Sequence, residues 1–242
     1  MLFYFGGHYT AMGLHSIQQG MVSVHRMMNG ALEASGRPPG SVSLVAVTKT
    51  QPAEAIMEAV RYGQLHFGES YLQEALPKQE ALKDHGDIIW HFIGPIQSNK
   101  TRQLAERFHW IHSLDRLKIA ERLNDQRPSG MERLNVCIQV NISGETSKSG
   151  VKPSDVAALA DQIEQLPQLR LRGLMAIPQA PDGVHAPQAA FRALRQLKED
   201  LLPIPLDTLS MGMSLDFESA ILEGATLIRV GSLIFGARQS AV

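Results

Sequence analysis

Cysteine is nearly missing from this chain: Cys137 is the only one in 242 residues. That excludes a disulfide framework and any thiolate-rich metal site. Cys137 lies inside "LNVCIQVNI", where alternate side chains of a strand are buried. It reads as a small interior thiol rather than a nucleophile, in a reduced, cytoplasmic protein. Long apolar runs are also absent. None reaches the roughly 20 residues that a membrane helix needs, and the opening "MLFYFGGHYTAMG" lacks the basic stretch and cleavage pattern of a secretory signal. Neither sign of charge dominates: 23 Lys and Arg stand against 24 Asp and Glu, a net charge of −1. Nucleic acid and membrane surfaces are therefore not expected partners. His91, His109 and His112 follow no metal-binding spacing such as H-E-x-x-H, so no metal is expected.

What is present is an alternation. Apolar runs "VSLVAVTK", "QLHFGE", "IIWHFIG", "HWIHSL", "NVCIQVNI", "LRLRGLMAI", "DTLSMGM" and "TLIRVGSLIFG" are nearly continuous, as in parallel strands buried on both faces. Helical patterns such as "PAEAIMEAVRYG" and "SLDFESAILEGA" separate them, with proline near the start or glycine at the end. Eight such units predict an α/β fold: a single (β/α)8 TIM barrel with an extra N-terminal helix, within residues 14–242. Residues 1–13 are expected to form a disordered extension, with Met12 as the expected start. Ser154 and Asp115 are expected to cap the helices that follow them.

In such barrels the chemistry gathers at the C-terminal ends of the strands. The first strand ends in Lys49, where an apolar run meets a charge that is rarely buried alone. The last two end in "SMGMS" and "RVGS". There Ser214, Gly231 and Ser232 could hold a phosphate between neighbouring loops. A partly desolvated lysine loses charge and can attack an aldehyde. Because the eighth strand closes on the first, a phosphate-bearing aldehyde between them could reach Lys49, and pyridoxal 5′-phosphate (PLP) has that shape. Arg229, two residues before Gly231, would face the same mouth and donate to the pyridine nitrogen, which weakens the ring as an electron sink. Each residue also has a plain alternative: tight turns for the glycines and serines, solvent for Lys49, and pairing with Glu223 for Arg229.

Taken together, "AVTKTQP", "HFGESYLQEALPK", "WHFIGPIQSNK", "VNISGETSKSG", "LRGLMAIP", "LSMGMSLDFESAI" and "RVGSLIFGAR" resemble the YggS/PROSC family of pyridoxal phosphate homeostasis proteins, from about Leu14 to Arg238. The resemblance implies a barrel like the N-terminal domain of alanine racemase, with PLP as cofactor in a Schiff base on Lys49. It implies that Ser214, Gly231 and Ser232 bind the phosphate and that Arg229 faces the pyridine nitrogen. Met175 and Met213 would line the pocket, and Lys148 would be a second lysine near its rim. Ser70 stands where the family commonly has asparagine, and Gln51 where it often has another lysine. A racemase draws one base from a second domain, which is not expected here. The expected role is therefore non-enzymatic: a monomer that buffers PLP and delivers it to PLP-dependent apoenzymes, with indirect effects on amino-acid and keto-acid balance. A weak racemase or lyase acting on a small amino acid is the alternative.

Overall fold

The computed structural model describes residues 16–144, 149–178 and 186–236. Residues 1–13 and Lys148, which carry two of the expectations above, lie outside these. The chain alternates through α1 (Ile17–Ala34), β1 (Ser43–Val47), α2 (Ala53–Arg61), β2 (His66–Glu69), α3 (Leu72–Ala81), β3 (Ile89–Phe92), α4 (Thr101–Arg107), β4 (Trp110–Leu114), α5 (Leu117–Gln126), β5 (Leu134–Gln139), α6 (Val156–Glu164), β6 (Leu169–Met175), α7 (Ala186–Asp200), β7 (Thr208–Ser210), α8 (Phe217–Leu222), β8 (Leu227–Val230) and α9 (Ser232–Phe235). All strand pairings are parallel and run in chain order, and β8 pairs back onto β1 to close the barrel.

Alternation along each strand divides two kinds of interior. Outward residues such as Leu44, Ala46, Ile228 and Val230 pack under the helices in one large apolar cluster. Inward residues Val45, Trp110, Cys137, Met175 and Leu227 form a second cluster inside the barrel. By the same period of two, Lys49 and Arg229 face inward at the C-terminal end. Register sets Val45 beside Arg229, so β1 and β8 bring these residues to one rim.

Two helix-cap expectations are corrected. Asp115 does not cap α5: its N-cap is Arg116, without a side-chain cap bond, and Asp115 pairs with Arg116 at 3.2 Å. Ser154 does not cap α6 either. A 3₁₀ turn, Pro153–Asp155, enters that helix, and Ser154 Oγ donates to Asp155 Oδ1. The stretch after "HFGES" forms a helix, α3, although Pro77 lies inside it. The apolar face beneath Leu72 and Ala75 outweighs the one hydrogen bond a proline removes.

Helix α1 covers the β8 end of the barrel, packing against α8 and α9. Its approach depends on Gly20, where a Cβ would sit 2.6 Å from the carbonyl oxygens of Leu233 and Ile234 in α9.

Candidate active site

Eight-stranded closure creates a cavity of about 220 Å³ at the C-terminal mouth. Lys49, Ser70, Met213, Ser214, Arg229, Gly231 and Ser232 all line it. Thus seven of the residues singled out from sequence share one cavity. Met175 is not among the lining residues; it is fully buried in the interior cluster with Cys137 and Trp110. Gln51 and Thr50 line the cavity too, as do Val47, Ile93, Ile177 and Phe235. A neighbouring cavity of about 310 Å³ shares Ile93 and Ile177 and is lined by Gln139, Asn141 and Ser143.

The backbone on either side of Lys49 is held from α3 and β2. Thr48 Oγ1 donates to Glu69 Oε1 at 2.7 Å. Lys78 Nζ donates to the same carboxylate oxygen and to the Thr48 carbonyl, both at 2.8 Å. On the other side, Thr50 N donates to Glu74 Oε2 at 2.8 Å. Thr50 has φ 67°, a left-handed conformation that costs a β-branched residue about 1–3 kcal/mol. Glu69 is fully buried. Burial pushes its carboxyl upward, opposed by the Lys78 and Thr48 hydrogen bonds. Sequence reading missed this clamp because Glu69 and Lys78 pair across two elements. The available signal was an acidic residue just inside the end of an apolar strand.

The β7–β8 side is built from turns. Gly212, at φ 90°, leaves no room for a Cβ beside Phe217 and Ala220. Its carbonyl accepts from Arg229 N at 3.0 Å. Asp216 Oδ1 accepts from Met213 N at 2.6 Å and fixes the turn that carries Ser214. At Gly231 a Cβ would come within 3.1 Å of the Val47 carbonyl. Backbone there can approach a ligand closely, as a phosphate cradle requires. Ser70 is seated by Gly94, where a Cβ would overlap the Ser70 carbonyl at 2.0 Å.

Arg229 is buried and does not pair with Glu223, which is held by Arg192, Arg195 and Gln188. Its guanidinium donates to Ser210 Oγ at 2.6 Å and to the Ala176 carbonyl at 3.0 Å. Burial lowers it to about 10, with Asp216 opposing. It therefore remains a cation at neutral pH, facing a cavity that also contains a strand-end lysine. Among the described residues no group of three metal-ligating side chains is arranged to hold a metal, and no helix is long and apolar enough to cross a membrane. The Cys137 thiol is buried and pushed up to about 12, which suits interior packing.

This arrangement can hold an anion between the β7 and β8 loops, with an amine one strand away. Residues 31–239 match the family model of the alanine racemase N-terminal domain. A pyridoxal phosphate homeostasis protein of Pseudomonas aeruginosa is 56% identical over 226 residues, covering 93% of this chain and 97% of that one. The chain belongs to the family of pyridoxal phosphate homeostasis proteins. Its relative in Escherichia coli K12 is 47% identical, covering 93% of this chain and 98% of the other. Among solved structures, PipY of Synechococcus elongatus with PLP bound is 40% identical, with a TM-score of 0.75. It covers 87% of this chain and 100% of PipY. An alanine racemase of Clostridium difficile shares the fold alone, at 12% identity and TM-score 0.67, covering 90% of this chain and 58% of the racemase.

Proposed function

We propose that this family member binds PLP as a Schiff base on Lys49 and serves PLP homeostasis by buffering the aldehyde and delivering it, rather than by turning over a substrate. The observation that carries the reading is the convergence of Lys49, Arg229, Ser214, Gly231 and Ser232 on one cavity. PLP bound in PipY supports it.

PLP would supply a reactive aldehyde and an electron-accepting ring. The residues of this chain do the rest. Lys49, at the end of a clamped strand, supplies the amine. Ser214 and Ser232 offer hydroxyls, and Gly231 offers close backbone, to the phosphate. Arg229, held from behind, presents the rest of its guanidinium to the pyridine nitrogen. A permanently charged donor there leaves that nitrogen unprotonated and disfavours carbanion chemistry. Ser70 is one hydroxyl where an amide would reach further, so its contact is lost or bridged by water. Gln51, which lines the cavity, adds no second amine. Met213, which lines the cavity, would pack beside the ring, and Lys148 remains a secondary candidate. The working protein is a cytoplasmic monomer that meets apoenzymes transiently.

The racemase fold supports a second reading, a weak racemase or lyase acting on a small amino acid. Purified protein loaded with PLP and offered a panel of amino acids separates the two. The carrier reading expects turnover no faster than free PLP. Sustained conversion abolished by Lys49→Ala would establish the enzyme instead.

A further inference from the structure

A row of histidines runs through the barrel toward Arg229. His66 opens β2 at the N-terminal end of the barrel, where it is half-buried, while His91 in β3 and His112 in β4 are fully buried. His66 Nδ1 lies 2.9 Å from His91 Nε2, and His91 Nδ1 lies 2.9 Å from His112 Nε2. The row then crosses the lumen: His112 Nδ1 is 2.7 Å from Ser210 Oγ, at the end of β7. Ser210 in turn accepts from Arg229. Five side chains from five strands thus link one mouth of the barrel to the cavity at the other.

The direction of every proton in this row follows from its last member. A guanidinium has donors only, so Ser210 Oγ must accept from Arg229. The Ser210 hydroxyl proton then needs an acceptor, and His112 Nδ1 is the one its hydrogen bonds provide among the described residues. His112 must carry its proton on Nε2 and donate to His91 Nδ1. His91 must likewise donate from Nε2 to His66 Nδ1. Successive bonds polarised in one sense strengthen one another. A carboxylate behind Ser210 would also anchor the arginine, but it would draw off the charge the cavity uses. Neutral imidazoles anchor it and leave that charge in place. Among the described residues Arg229 is in no ion pair.

We propose that Ser210, His112, His91 and His66 are positioning residues for Arg229: one polarised hydrogen-bond chain, every imidazole protonated on Nε2, that fixes the guanidinium at the cavity without neutralising it. The proposal deepens the PLP reading and rests on it for the identity of what Arg229 faces.

The experiment is ¹⁵N NMR of the imidazoles in the full chain without added PLP, on the unchanged protein and on Ser210→Ala, paired with PLP titration followed by absorbance. The unchanged protein is expected to show His66, His91 and His112 protonated on Nε2, with couplings across the two N–H···N bonds. Ser210→Ala is expected to shift the His112 signals, because Nδ1 loses its donor. It should also weaken PLP binding by roughly three- to tenfold, about what one ordinary hydrogen bond is worth. Ser210→Thr, which keeps the hydroxyl, should recover most of that affinity and the His112 signals. An Nδ1–H tautomer at any of the three histidines of the unchanged protein, or unaltered PLP affinity in Ser210→Ala, would overturn the proposal. If borohydride leaves Lys49 unmodified in the unchanged protein, the PLP reading fails separately, and the tautomers alone decide the chain.

Discussion

At the scale of single residues, Lys49 shows how a site is assembled from restraints that carry no chemistry. Its neighbours are fixed by Glu69, Lys78 and Glu74, so the strand end enters the cavity at one angle. Lys78→Met leaves the Glu69 carboxylate buried with only Thr48 as a partner. Thermal or denaturant unfolding should then show a loss of about 3–5 kcal/mol. Replacing both partners, Glu69→Leu with Lys78→Met, should recover much of that stability. The reduced PLP adduct at Lys49 should stay below that of the unchanged protein, because the Thr48 carbonyl is still unheld. Full recovery of the adduct would make the pair purely structural. Lys49, Ser214 and Arg229 were legible in the sequence because each sits at a strand end in a motif. Glu69, Lys78 and Ser210 were not, since their roles arise from contacts between elements distant in the chain. His91 and His112 stood out as residues and His66 did not, and their linkage depends on three strands facing inward in register. Met175, at the end of β6, packs in the interior cluster and is not among the residues lining the cavity.

At the scale of elements, the phosphate side of the cavity depends on how α1 meets α9. The backbone approach at Gly20 seats α9 beneath Gly231 and Ser232, although α1 contributes no cavity residue. Gly20→Val should push the two helices apart and cost about 1–3 kcal/mol. Isothermal titration should then find weaker PLP binding, with Lys49 still able to form its adduct. Unchanged affinity in a folded Gly20→Val would detach α1 from the site. The eight strands were readable from near-continuous apolar runs. Helix α3 forms around Pro77 because tertiary packing overrides a local propensity that speaks against it. The missed caps at Asp115 and Ser154 have the same origin: residue type suggests a cap, but the entry angle of the chain decides whether the side chain can reach.

At the scale of the whole molecule, burying three histidines as neutral groups has a pH signature. Burial holds His91 and His112 well below the usual imidazole range, and His66 below it to a lesser degree. In the unfolded chain these imidazoles take up protons below about pH 6.5; in the folded chain they do not. Stability is therefore complete above that pH and falls as pH drops, by up to about 1.4 kcal/mol per fully buried histidine per pH unit. Glu69, Asp115 and Asp216, whose carboxyls burial raises, act in the opposite sense, while His109, lowered by burial, adds to the histidine side. Calorimetry between pH 7.5 and 5.5 should show the midpoint falling by several degrees. A midpoint that holds or rises on acidification would contradict neutral burial.

The central claim is that one amine, Lys49, holds the PLP aldehyde while the neighbouring β7 and β8 loops hold its phosphate. Borohydride reduction of PLP-loaded protein followed by peptide mass mapping tests it most directly. The pyridoxyl adduct is expected on the peptide that contains Lys49, with at most a minor one at Lys148. A protein that binds PLP yet returns an unmodified Lys49 peptide would contradict it.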